Sequence, residues 1–140
     1  MGRILAIDYG SKRVGLAVTD PLKIIATGLD TVHVKDIMNY LKAYLLRETV
    51  ERIVLGEPKT LQNTPSASAR FVEPFAVFLK RQFPHIPVDR WDERFTTHLA
   101  KKSLLENGLT KTQRREKSQL DQISAVILLQ DYLNYLQRPT

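Results

Sequence analysis

Apolar residues recur along this chain with two different periods. Residues 3–9 and 14–19 are aliphatic and β-branched with no helical spacing, which predicts two buried strands joined by the turn Gly10-Ser11-Lys12-Arg13. Pro21 closes the hairpin, because proline has no N–H to give to a continuing ladder. A third extended piece over 24–29 is expected at the same sheet edge. Over 36–47 the period changes: Ile37, Tyr40, Leu41, Tyr44 and Leu45 fall three and four residues apart, the stripe of an amphipathic helix. A short apolar strand over 52–56 stops at Gly56, and 57–65 reads as a polar loop. Phe71, Phe75, Phe78 and Leu79 mark a helix over 66–82, which Pro74 is expected to kink or to start late. A strand over 87–91 ends in Asp92-Glu93-Arg94. Thr96 or Thr97 can cap a helix ending at Gly108, a basic connector covers 109–117, and a last helix covers 118–136.

The predicted order is β-β-β-α-β-α-β-α-α. Three antiparallel strands come first, and two more are reached through helical crossovers, which imply parallel, right-handed connections. The expected architecture is therefore α/β: a mixed five-stranded sheet with helices on both faces, in a single domain over residues 1–140.

Composition narrows the class. The 140 residues are 43% hydrophobic and 26% charged, the balance of a soluble globular domain. There is no cysteine, which excludes disulfides, thiolate metal sites and a cysteine nucleophile. The first residues read as a strand and not as a signal peptide, and the apolar run 125–129 is far too short to span a bilayer, so a cytoplasmic protein with no membrane partner is expected. The net charge of +6 is unevenly placed. Lys101, Lys102, Lys111, Arg114, Arg115 and Lys117 face only Glu106 and Glu116 within 101–117. Such a band suits a polyanion, nucleic acid first, or a solvated helix face and loop.

Three carboxylates occupy unusual places. Asp8 interrupts an apolar strand beside a glycine-containing turn. Glu93 follows the strand that starts near Pro87. Asp121 heads a stripe with Ala125, Leu128 and Tyr132 at offsets of four, seven and eleven, the core-facing side of the last helix. Singly, each has an ordinary explanation: a turn residue, a surface acid paired with Arg94, a charge favoured by the helix dipole. Together, Asp8 and Glu93 would end parallel strands at the edge where open α/β sheets bind ligands. Carboxylates gathered there call for a hard cation, Mg²⁺ or Mn²⁺, of the kind that activates water and stabilises the leaving oxygen of a phosphodiester. Other chemistry fares worse. His33, His85 and His98 lack metal-ligand spacing, and there is no Gly-x-Ser-x-Gly elbow. Leu16-Ala17 stands where a P-loop needs Lys-Ser/Thr.

The segments Ile4-Leu5-Ala6-Ile7-Asp8-Tyr9-Gly10-Ser11-Lys12-Arg13-Val14-Gly15, Asp92-Glu93-Arg94-Phe95-Thr96-Thr97 and Leu120-Asp121-Gln122-Ile123-Ser124-Ala125 resemble, in this order, the YqgF (RuvX) family. The resemblance covers essentially the whole chain. It implies an RNase H-like fold related to Holliday-junction resolvases and a role as a nuclease maturing the precursor of 16S ribosomal RNA. Asp8, Glu93 and Asp121 match the family's catalytic acids, and Arg13 its N-terminal basic residue, for which it implies a phosphate contact. The loop after Gly56 departs from the family's Gly-Leu-Pro with its glycine-rich continuation, reading Gly56-Glu57-Pro58-Lys59.

The leading expectation is a Mg²⁺-dependent endonuclease on structured RNA, with Arg13, Arg94 and the 101–117 band on phosphates. Branched DNA cut by a homodimer is the rival substrate. Readings from other classes are an actin-like nucleotide-binding module, for which one domain is too little, and a non-catalytic nucleic-acid-binding ribosome or transcription factor.

Overall fold

The computed structural model describes residues 2–10, 12–57, 69–92 and 117–137. Five strands, β1 (Arg3–Tyr9), β2 (Arg13–Thr19), β3 (Ala26–His33), β4 (Val50–Glu57) and β5 (Val88–Asp92), form one sheet in the order β3-β2-β1-β4-β5. Pairing is antiparallel for β1 with β2 and β2 with β3, and parallel for β1 with β4 and β4 with β5. The mixed five-stranded sheet expected from the pattern is thus the one observed. Helices α1 (Ile37–Arg47) and α2 (Ala69–Gln82) lie on one face, and α3 (Lys117–Leu136) lies on the other. The helix expected to end at Gly108 lies outside the described residues.

Strand alternation decides which side chains go where. Leu5, Ile7, Val14, Leu16, Val18, Ile53 and Leu55 point to α1 and α2, meeting Ile37, Leu41, Tyr44, Val72, Phe75 and Leu79. Each such fully buried aliphatic contributes roughly 1.5–3 kcal/mol relative to exposure. The intervening residues Ile4, Ala6, Ala17 and Val54 face α3, whose Ala125, Leu128, Leu129, Tyr132 and Leu133 cover them. The far half of α3 is fastened by polar contacts. Arg52 Nη1 donates to Tyr132 Oη at 2.8 Å, and the Tyr132 hydroxyl donates in a short bond to Asp89 Oδ2. Trp91 meets the rings of Tyr132 and Tyr135 edge-on at 5.6 and 5.2 Å.

One local expectation changes. The third strand begins at Ala26 and runs to His33, in place of 24–29. Asp20 is the reason: its Oδ1 accepts the N–H of Ile24 and of Ile25, each at 2.8 Å, and its Oδ2 that of Leu22 at 3.2 Å. Those amides are taken from any ladder, and Lys23 sits at φ 61° in the resulting turn. Pro74 lies inside α2 and has no N–H for the helical ladder, while Phe75 and Leu79 still reach the core. No helix among the described residues is long and apolar enough to cross a membrane.

Candidate active site

The parallel strands end together. Ile7 lies opposite Leu55 and Leu55 opposite Arg90, so Asp8, Gly56 and Trp91 follow as the next residues of β1, β4 and β5. Asp8 shares the parity of Ile4 and Ala6 and therefore faces α3, while its neighbour Tyr9 turns to the opposite face. There the Tyr9 ring stacks on Phe75 at 4.3 Å, and burial pushes its phenol above the ordinary value. The end of β1 is thus anchored in the larger core while it presents a carboxylate on the other side.

Gly15 brings Asp121 to that carboxylate. It is the cross-strand partner of Asp8. A Cβ built on Gly15 would lie 2.6 Å from the carbonyl carbon and 3.3 Å from the Cα of Asp121. The α3 backbone therefore rests directly on the glycine beside Asp8, at a separation no side chain allows. Gly10 serves the same end of the sheet. Its N–H bonds to the Arg13 carbonyl at 3.0 Å, and a Cβ there would meet that oxygen at 2.7 Å.

Each acid is held from a different element. The Ser124 hydroxyl, one turn beyond Asp121 on α3, donates to Asp8 Oδ2 at 2.6 Å. Arg13 Nε donates to Asp121 Oδ2 at 2.7 Å in an ion pair whose side chains are 39% and 17% exposed. Arg13, Gly15 and Ala17 share one face of β2, which is how a residue of the first hairpin reaches the last helix.

Of the residues singled out from the sequence, Arg13 and Asp121 pair directly, and Asp8 lies on β1 beside Gly15, on which the Asp121 backbone rests. Glu93, Arg94, Lys101, Lys102, Lys111, Arg114 and Arg115 lie outside the described residues, and Lys117 is described only as the first residue of α3. Among the described residues no three His, Cys, Asp or Glu side chains form a metal-holding group. The carboxylates of Asp8 and Asp121 are hard oxygen donors, the type that suits Mg²⁺ or Mn²⁺ and not a soft metal. Sequence reasoning passed over the Arg13–Asp121 pair and Ser124. The signals were present: Arg13 shares strand parity with Gly15, and Ser124 is a polar residue inside an inward-facing apolar run.

The family model described as "RuvX: Holliday junction resolvase" matches residues 2–135. The chain belongs to the RuvX family. Among its relatives is a protein of Porphyromonas gingivalis, 53% identical over 134 residues, covering 96% of this chain and 97% of that one. Another, from Bacteroides thetaiotaomicron, is 49% identical over 133 residues, covering 95% of this chain and 96% of its own. Both carry the name "Putative pre-16S rRNA nuclease". Among solved structures, T. thermophilus RuvC in complex with a Holliday junction substrate superposes with a TM-score of 0.57 at 17% identity, covering 98% of this chain and 97% of that one. That likeness shows that this RuvX-family chain has the RNase H-like resolvase fold.

Proposed function

We propose that this chain is a nuclease that hydrolyses phosphodiester bonds in structured RNA and matures the precursor of 16S ribosomal RNA in the cytoplasm. The observation that supports the reading is the seat of α3 on Gly15, the cross-strand partner of Asp8, with the Asp121 backbone resting against that glycine. Family membership and two relatives named for pre-16S rRNA support the substrate. Asp8 and Asp121, with Glu93 after β5, are the residues proposed to hold Mg²⁺ or Mn²⁺. A divalent cation in such a site activates water and stabilises the leaving oxygen of a phosphodiester. Around it, Asp8 and Asp121 supply fixed negative charge, and α3 shields one side of the site from water. Arg13, Arg94 and the 101–117 band are proposed as contacts to the phosphate backbone, which such basic groups hold in register without reading sequence.

A second reading has a specific support: the family model names Holliday junction resolvases. Cutting a two-fold junction symmetrically calls for a homodimer. One assay separates the two. Precursor rRNA and four-way DNA junctions are incubated with the protein, with and without Mg²⁺ or Mn²⁺, beside the Asp8→Asn variant. The proposal expects metal-dependent cleavage of the RNA, abolished by Asp8→Asn. Cleavage confined to the junction by a dimeric protein would shift the substrate to DNA, and full cleavage by Asp8→Asn would remove Asp8 from the site.

A further inference from the structure

Only two polar side chains among the described residues are buried to the extent of the core, Thr19 and Ser124, at 0% and 1% exposure. Thr19 serves the backbone. Its hydroxyl accepts the Ile4 N–H and donates to the Asp20 carbonyl, each at 2.9 Å, where β1 and β2 meet the following turn. Ser124 differs. Its hydroxyl crosses from α3 to β1 and bonds a carboxylate 116 residues away in the chain.

Burial alone does not require that contact, since a helical serine can satisfy itself by donating to the carbonyl four residues earlier. The Ser124 hydroxyl instead lies 2.6 Å from Asp8 Oδ2, within donating distance of a carboxylate on another element. The tether fixes the plane of the carboxylate. The partner of Asp121 is of another kind. Arg13 is a cation on a flexible stem, 39% exposed, and its charge competes with any metal ion for the same carboxylate oxygens. A neutral, buried hydroxyl is compatible with a cation beside Asp8, whereas the guanidinium beside Asp121 adds a positive charge next to that carboxylate.

We infer that Ser124 is the positioning residue of this site: it holds Asp8 through Oδ2 in the orientation that receives the divalent cation. The inference rests on the reading that Asp8 is a metal ligand. Ser124 touches neither substrate nor reacting atoms itself, and its effect is exerted through Asp8. Partners that orient a ligating carboxylate are worth about 10–100-fold in metal affinity.

The test is a Mn²⁺ titration of the full chain, read by calorimetry and by the spin resonance of free Mn²⁺, for the wild type, Ser124→Ala and Asp8→Asn. Thermal melts and cleavage rates at rising Mn²⁺ accompany it. Ser124→Ala is expected to weaken Mn²⁺ binding about 10–100-fold, and excess Mn²⁺ is expected to restore its cleavage. Asp8→Asn is expected to lose both, without rescue. Wild-type Mn²⁺ affinity in Ser124→Ala, with Asp8→Asn defective, overturns the positioning role alone. Wild-type affinity in Asp8→Asn overturns the metal site itself. Should Ser124→Ala fail to fold, Ser124→Cys keeps the volume with a much weaker donor. A Mn²⁺ affinity equal to wild type in Ser124→Cys would refute the inference equally.

Discussion

Replacing Gly15 by alanine tests the central geometric claim. The added methyl would stand 2.6 Å from the Asp121 carbonyl carbon, whereas carbon atoms in contact prefer about 3.5–4.0 Å. The first turns of α3 must then retreat by about 1 Å, because both colliding partners are backbone and neither can rotate away. Overpacking of this kind costs about 1–3 kcal/mol, with some offset from the entropy a strand glycine loses on folding. At about 2–4 °C per kcal/mol, the melting temperature should fall by about 2–12 °C. Function should suffer more than stability, since a displacement of about 1 Å in a reacting geometry can cost about 100-fold in rate. Gly28→Ala is the matched control. Its nearest obstacle is the Gln122 Oε1 atom at 3.0 Å, the end of a flexible side chain. It should melt and cleave like the wild type. Circular-dichroism melts and single-turnover cleavage of precursor rRNA read both variants. If Gly15→Ala melted within about 1 °C of the wild type and cleaved within about twofold of it, the glycine seat would not be what joins Asp121 to Asp8.

Two further predictions concern other contacts. Tyr132→Phe removes the hydroxyl between Arg52 and Asp89, and should cost about 1–3 kcal/mol in urea unfolding, as bonds to charged groups do. Burial first, and then the bond to Asp89, raise the Tyr132 phenol above its usual value of 10.0. Its contribution is therefore complete below that value. It is lost as pH rises further, where the unfolded chain gives up a proton the folded chain keeps. Tyr132→Phe should consequently flatten part of the alkaline loss of stability, and an unchanged alkaline slope would contradict this. Arg13→Ala should alter stability by no more than about 1 kcal/mol, the pair with Asp121 being partly solvated. It should lower the salt dependence of RNA binding by about 0.7–0.9 in logarithmic slope if Arg13 engages one phosphate. An unchanged slope would remove Arg13 from the phosphate contacts.

The sheet was legible in the sequence because its strands alternate or run apolar between strong punctuation, Gly10, Pro21 and Gly56. The one displaced strand shows where such reading fails. Ile24 and Ile25 have the residue type of a strand, but the Asp20 carboxylate has already claimed their amides. A side chain four and five residues upstream overrides local propensity, and no periodicity reports it. Asp8 and Asp121 stood out in the sequence, one by its interruption of an apolar strand and the other by its stripe with Ala125, Leu128 and Tyr132. Their partners did not. Arg13 meets Asp121 across 108 residues of chain, a contact that exists only once the last helix crosses the first hairpin.

The two faces of the sheet explain why the Ser124–Asp8 and Arg13–Asp121 contacts form on the α3 side. Toward α1 and α2 the strands present Leu5, Ile7, Leu16, Ile53 and Leu55, whose bulk holds helices at ordinary distance. Toward α3 they present Ile4 and Val54 but also the small residues Ala6, Ala17 and Gly15, with Gly28 on β3 beneath Gln122 and Val126. Small residues let a backbone come close, and short polar side chains can then bridge from helix to strand. Serine reaches Asp8 across this seam for that reason; across the Leu–Ile layer its hydroxyl would fall short. At the far end of α3 the gap over β4 and β5 is filled instead by Tyr132 and Trp91, large enough to carry a hydroxyl across to Arg52 and Asp89. The size gradient of one sheet face thus sets where the helix touches down, and the touching point is where Asp8, Ser124, Asp121 and Arg13 meet.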